Sequence, residues 1–121
     1  MARILLADDE AASRDLVRRA LEADGHSVQV AENGSEANEQ LGAATHHFDL
    51  LVTDVNMPGM DGFELASKAR ASYPAMRIVL MSGLVEQLER ASALKTHLFY
   101  TIAKPFTLEQ MRVLVRKVLS S

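Results

Sequence analysis

The stretch Leu50-Leu51-Val52-Thr53-Asp54-Val55-Asn56-Met57-Pro58-Gly59-Met60-Asp61-Gly62 decides the fold class. Its opening residues form a nearly continuous apolar run, as expected of a strand in a parallel sheet covered by helices on both faces. A half-solvated antiparallel strand would alternate instead. Asp54 follows directly on that run, although Asp has low strand propensity. The glycines and the proline after it suggest a constrained loop whose backbone groups face a site, while a plain turn would use the same residues. Past the loop, a helix is expected from Gly62 or Phe63 to Ser72. It presents Phe63, Ala66, Ala69 and Tyr73 on one side, and Pro74 ends it by disfavouring helical geometry in the residue before.

The same pattern recurs on either side. Residues 4–7, 28–31, 78–81 and 98–102 read as further strands, and only residues 28–31 alternate, which places that strand at an edge. Ser13, Leu16, Val17, Ala20 and Leu21 share one face of a first helix, with Gly25 as its C-terminal cap. Asn33-Gly34-Ser35 starts a second helix that runs to about Ala44. A fourth is expected from Leu84 to about Leu94. The last opens on Thr107-Leu108-Glu109-Gln110, a capping box, and buries Met111, Leu114, Val115 and Val118. Strand and helix thus alternate throughout. Right-handed crossovers then give an α/β, doubly wound, five-stranded parallel sheet of the flavodoxin-like type, with strand order 2-1-3-4-5 and ligands beyond the carboxyl ends of strands 1 and 3.

The 121 residues, 48% hydrophobic and 24% charged, fit one folded domain spanning 1–121. The formal net charge of -3, without a basic run, argues against a nucleic-acid partner. Cysteine is absent, which removes disulfides, thiolate metal sites and cysteine nucleophiles. No apolar run approaches the ~18 residues of a membrane span, and no signal-peptide pattern opens the chain, so a cytoplasmic location is expected.

Function should then be read at the strand ends. Strand 1 ends in Asp8-Asp9-Glu10 and strand 3 in Asp54, so adjacent strands aim carboxylates at one crevice. Such a cluster repels itself unless a cation binds, and hard oxygen ligands suit Mg2+. Taken alone, Asp8 to Glu10 would serve equally well as charges at the start of the first helix. Strand 4 ends in Ser82-Gly83, a hydroxyl followed by an unobstructed backbone amide, which is also a common turn. Strand 5 ends in Ala103-Lys104-Pro105-Phe106, where a cis Lys104-Pro105 bond would aim the ammonium inward and a solvated lysine is the plainer alternative. Together these groups make a phosphoryl-transfer site: a carboxylate acceptor, cation ligands, and a lysine, a hydroxyl and amides around the phosphoryl oxygens.

From Ile4 to Leu119 the chain resembles a stand-alone response-regulator receiver domain of two-component signalling. The resemblance rests on Asp8-Asp9, Asp54, the loop Met57 to Gly62, Ser82 and Lys104-Pro105-Phe106. It implies a phosphoacceptor signalling domain and not an enzyme, with Asp54 phosphorylated by a sensor histidine kinase or a histidine phosphotransfer protein. Asp9 and Asp54 would be direct Mg2+ ligands, Asp8 would act mainly through water, and the Asn56 carbonyl would complete the set; Mn2+ could substitute. Ser82 and Lys104 would bind phosphoryl oxygens with the amides of Asn56 and Gly83.

One departure concerns strand 5. The family's switch aromatic, three residues before the lysine, is replaced by Thr101, and the entering turn by Thr96-His97-Leu98. Ser82 keeps the hydroxyl part of the switch. Thr101 supports a different relay, Tyr100 takes the role in a shifted register, or output depends less on the switch. The output partner is expected to be another protein, on a face with Leu84, Val85, Leu88, Phe99 and Thr101, with Glu89 and Arg112 as charges to test. A constitutive interaction module on the same fold is the main alternative. An FMN carrier is disfavoured by Asp8-Asp9, and a phosphohydrolase by the short connections. His26, His46, His47 and His97 read as surface residues.

Overall fold

The structure, a computed structural model, describes residues 2–43, 47–93 and 99–120, leaving out within its fourth helix the side chains of Val85 and residues 91–93. Its elements follow one another as β1 (Arg3–Ala7), α1 (Ala11–Ala23), β2 (Ser27–Ala31), α2 (Gly34–Ala43), β3 (Leu50–Asp54), α3 (Gly62–Ser72), β4 (Arg77–Ser82), α4 (Val85–Ala93), β5 (Phe99–Ala103) and α5 (Leu108–Leu119). The strands form one parallel sheet ordered β2-β1-β3-β4-β5. This is the order expected from the alternation, with the alternating strand β2 at an edge.

The apolar runs are buried as their continuity requires. Every residue of β3 is buried, as are Ile4 to Ala7 of β1 and Ile78 to Ser82 of β4. Successive side chains of a strand point to opposite faces. Leu5, Leu51, Ile78 and Leu80 therefore join Leu41, Phe63, Leu65 and Ala66 in a core beneath α2 and α3. Ile4, Leu6, Val52 and Met81 join Val17, Leu21, Met111 and Val115 in a second core beneath α1 and α5. At ~1.5–3 kcal/mol for each large apolar side chain buried, these two layers hold the strand ends in fixed relation.

The helix ends follow their sequence signals. His26 N–H bonds Leu21 O at 3.3 Å and Gly25 N–H bonds Glu22 O at 2.9 Å, a closure that places Gly25 at φ +90°. Thr107 Oγ1 accepts the Gln110 amide at 3.0 Å and Gln110 Oε1 accepts the Thr107 amide at 2.8 Å, completing the expected capping box. Leu16 differs from expectation, being 51% exposed. It lies about 100° around the helix from Val17, at the rim of the stripe formed by Val17, Ala20 and Leu21. Leu65, not singled out in the sequence, is fully buried on α3. Ala44, Leu94 and Leu98, the expected ends of three elements, together with Thr96, His97 and His46, lie outside the described residues.

Candidate functional site

The carboxyl ends of β1, β3, β4 and β5 meet at one rim of the sheet. Asp8 and Asp54 are buried there and Asp9 is exposed, and a carboxylate oxygen from each lies within 4.8 Å of the others. Glu10 takes the N-cap position of α1 but makes no side-chain bond to the helix. Asp8 Oδ1 accepts the Glu10 amide at 2.9 Å. The Asp8 carboxylate is thus bonded just ahead of the helix, and the acidic run gathers around Asp54.

Asp8 Oδ2 is buried with no hydrogen-bond partner. Buried polar atoms are paired in the great majority of cases, so an orphaned carboxylate oxygen beside two other carboxylates fits a cation ligand. Only oxygens are offered, which suits Mg2+. Asp8, Asp9 and Asp54 could hold such an ion.

Lys104 Nζ donates to Asp54 Oδ2 at 2.6 Å. Its backbone is placed by the pairing of Ser82 with Ala103 and by the Lys104 N–H bond to Ser82 O at 2.9 Å. The Lys104-Pro105 bond is cis. The other Asp54 oxygen, Oδ1, accepts the Asn56 amide at 3.3 Å, a longer and weaker contact. Burial pushes the Asp54 carboxyl above the usual carboxylate range. The hydrogen bond and charge of Lys104 oppose that shift, Asp8 adds to it and the Asn56 amide opposes it.

The loop after Asp54 is fixed by close backbone approach. Gly62 N–H bonds Val55 O at 2.9 Å. A Cβ on Gly62 would lie 2.3 Å from Asp54 O, so no side chain fits between the start of α3 and the end of β3. Asp61 caps α3 by accepting the Glu64 amide at 2.9 Å. Gly83 differs: an added Cβ would make only ordinary contact with Lys104, at 3.7 Å. Glycine is not required there for packing.

Ser82 is buried at the end of β4, but its hydroxyl turns toward α4. It donates to Gln87 Oε1 and accepts the Leu84 amide at 3.0 Å. Gln87 Nε2 then donates to Asn56 Oδ1 at 2.8 Å. Gln87 was missed in the sequence. The available signal was its position three residues after Leu84, at helical spacing, where a polar side chain occupies the phase of an inward face.

The two switch candidates lie on opposite faces. Thr101 pairs with Leu80 and shares the face of Phe99, whereas Tyr100 packs into the core beneath α1 and α5. Leu84 is 48% exposed. Leu88 is half-buried and Glu89 exposed, whereas Phe99 packs against the α2 and α3 core and carries the Arg70 guanidinium 4.8 Å from its ring centroid. The Val85 side chain lies outside the described residues.

A fold of this order with an acidic, lysine-paired rim defines a class, and comparison identifies it. The response regulator receiver domain family matches residues 4–116, and the chain belongs to that family. It is 37% identical over 109 residues to the sensor protein EvgS of Escherichia coli (strain K12), covering 90% of this chain and 9% of that one. It is 34% identical over 117 residues to the response regulator MprA of Mycobacterium avium (strain 104), covering 97% of this chain and 50% of that one. The chain therefore spans half or less of these curated relatives. Among solved structures, the response regulator TrrA from Thermotoga maritima in complex with Mg(2+)-BeF is similar at a TM-score of 0.85 and 29% identity, covering 98% of this chain and 99% of that one. The protein is thus a signalling domain of two-component response regulators. Among the described residues, no helix is long and apolar enough to cross a membrane.

Proposed function

We propose that this receiver accepts a phosphoryl group on Asp54 from a phosphohistidine of a sensor kinase or phosphotransfer protein, and signals through contact with another protein. The observation that carries the reading is the Asp54 carboxylate: buried, bonded to Lys104 Nζ at 2.6 Å, and gathered with Asp8 and Asp9.

Asp54 Oδ1, the oxygen not held by Lys104, is the nucleophile. It forms a bond to phosphorus while the phosphorus–nitrogen bond of the donor breaks, and the imidazole leaves with its electron pair. Lys104 holds the carboxylate in place and then meets the charge of the phosphoryl oxygens. The Asn56 and Gly83 amides and the Ser82 hydroxyl supply further donors around the equatorial oxygens. Asp8, Asp9, Asp54 and the Asn56 carbonyl would hold Mg2+, which neutralises charge on the phosphoryl oxygens when bound. An open depression lined by Asp9, Asn56, Met57, Pro58, Gly59 and Asp61 gives the donor access. Thr101 and Tyr100, on opposite faces of β5, remain the switch candidates of this chain beside Ser82. The exposed Leu84 and Glu89 mark the output face. Arg112, expected to be available there, is instead bonded to Asp24.

Intact-mass measurement after incubation with acetyl phosphate tests the reading. The native chain should gain one phosphoryl group only when Mg2+ is present, and Asp54→Asn should gain none. Absence of the adduct from folded native protein with both acetyl phosphate and phosphoramidate, or an undiminished adduct on Asp54→Asn, overturns it.

A further inference from the structure

Both ends of the Gln87 amide are engaged, and its partners lie at or beyond the ends of different strands of the site, Ser82 closing β4 and Asn56 in the loop after β3. Its Oε1 accepts the Ser82 hydroxyl hydrogen, and its Nε2 donates to Asn56 Oδ1 at 2.8 Å. The Ser82 oxygen also accepts the Leu84 amide at 3.0 Å. A serine hydroxyl carries a single hydrogen. While that hydrogen is given to Gln87, it is not available to an oxygen on Asp54. Ser82 therefore chooses between α4 and the phosphoryl group.

The same helix carries a second tether, from Arg90, whose guanidinium sits 4.1 Å from the centroid of the Phe63 ring on α3. Gln87 and Arg90 hold α4 to the β3–α3 region through a hydrogen bond and a cation–π contact. Of these, only the Gln87 bridge also involves a group expected to bind the phosphoryl oxygens.

We propose that Gln87 is a positioning residue that latches Ser82 and Asn56 to α4 in the unphosphorylated protein. Capture of a phosphoryl oxygen by Ser82 removes one of the two bonds of the latch and leaves the Gln87 amide held to Asn56 alone. The site thereby reports its state to the surface that begins at the exposed Leu84. The inference rests on Asp54 being the phosphoacceptor, and it adds the residue through which occupancy reaches the helix.

Beryllofluoride with Mg2+, a phosphoryl analogue that needs no turnover, provides the test. Its affinity would be measured by calorimetry on the native protein, Gln87→Leu, Ser82→Ala and the double variant. Breaking a hydrogen bond that competes with ligand capture should tighten binding in Gln87→Leu by about two- to tenfold. Affinity for Mg2+ alone is measured beside it, because Gln87 contacts none of the carboxylates but bonds the Asn56 side chain, and the beryllofluoride gain should exceed any change in Mg2+ affinity. In the Ser82→Ala background the Gln87→Leu tightening should vanish, an outcome that a general loosening of α4 would not produce. Unchanged or weaker beryllofluoride binding by folded Gln87→Leu overturns the latch, as does equal tightening in both backgrounds. Failure of the native protein to bind beryllofluoride at all removes the phosphoacceptor reading and the latch with it, whereas native binding without a Gln87 effect removes the latch alone.

Discussion

Helices α4 and α5 flank the same strand, β5, yet different forces hold them. Met111, Val115 and Val118 of α5 are fully buried in the core beneath α1, and its first turn is closed by the capping box. Among the described side chains of α4 none is fully buried; Gln87 and Leu88 are half-buried and Glu86, Glu89 and Arg90 exposed. Among its described side chains, the ties of α4 are Gln87 to Ser82 and Asn56, and Arg90 to the Phe63 ring. Apolar burial is indifferent to the chemical state of a site several residues away. Hydrogen bonds to the site's own groups are not. A helix whose described side chains bury little surface, bonded to a residue proposed to change partners, sits at the low end of the local stability range. The difference assigns α5 to the frame and α4 to the response.

Truncation should expose that contrast most strongly. Met111→Ala leaves a cavity in the α1 and α5 core and should cost about 2–5 kcal/mol in urea unfolding. Leu88→Ala, on the half-buried face of α4, should cost about 1 kcal/mol or less. Equal costs would place α4 in the frame after all. Next in size is the cap. Thr107→Ala removes the acceptor for the Gln110 amide and should cost about 1 kcal/mol, with hydrogen exchange accelerating across the first turn of α5. Smaller still is Arg90→Ala, worth about 0.5–1 kcal/mol for an exposed cation over an aromatic ring. Its effect should be local, read as faster exchange in α4 with α5 amides unchanged; protection lost equally from both helices would erase the distinction.

The frame was largely legible in the sequence and the response was not. Buried strands announce themselves as continuous apolar runs, because helices cover both faces, and a carboxylate ending such a run stands out against it. Residues 50–53 followed by Asp54 therefore gave both a strand and a site, and Thr107 with Gln110 gave a helix start. Three features depended on tertiary placement instead. Leu16 fits helical spacing with Val17, but the width of the stripe that α5 covers decides which of them is buried. Gly62 reads as a turn glycine, and only the path of β3 shows that the Asp54 carbonyl occupies the space of a Cβ. Gln87 is a polar residue on a short helix, and its significance arises only once Ser82, at the end of β4, and Asn56, in the loop after β3, are brought to it. Thr101 and Tyr100 form an intermediate case: their neighbours made the departure visible, and the register of β5 against β4 was needed to put them on opposite faces.

The weakest predicted effect concerns how α5 is fastened at its open side. Asp24, at the C-cap of α1, accepts from Arg112 at 2.6 Å and faces Arg116 at 3.3 Å. The Arg112 hydrogen bond holds the Asp24 carboxyl below its ordinary range, aided by the Arg116 bond and the charges of both guanidinium groups, while burial opposes them. A carboxyl whose folded pKa is depressed binds fewer protons in the folded chain than in the unfolded one. Its stabilisation is therefore complete above the ordinary carboxylate range and is lost as the pH falls through the depressed value. Asp24→Asn should be slightly less stable than the native chain at neutral pH, and the gap should close in acid, where the native carboxylate is itself protonated. Urea unfolding of both proteins across that range reads the difference directly. Moderate salt should narrow the gap at neutral pH, since ion pairs with partly exposed guanidinium groups are screened in part, while leaving the cost of Met111→Ala unchanged. A gap that neither acid nor salt alters would mean that Asp24 holds α5 by geometry and not by charge, and that even the open side of the frame owes nothing to electrostatics.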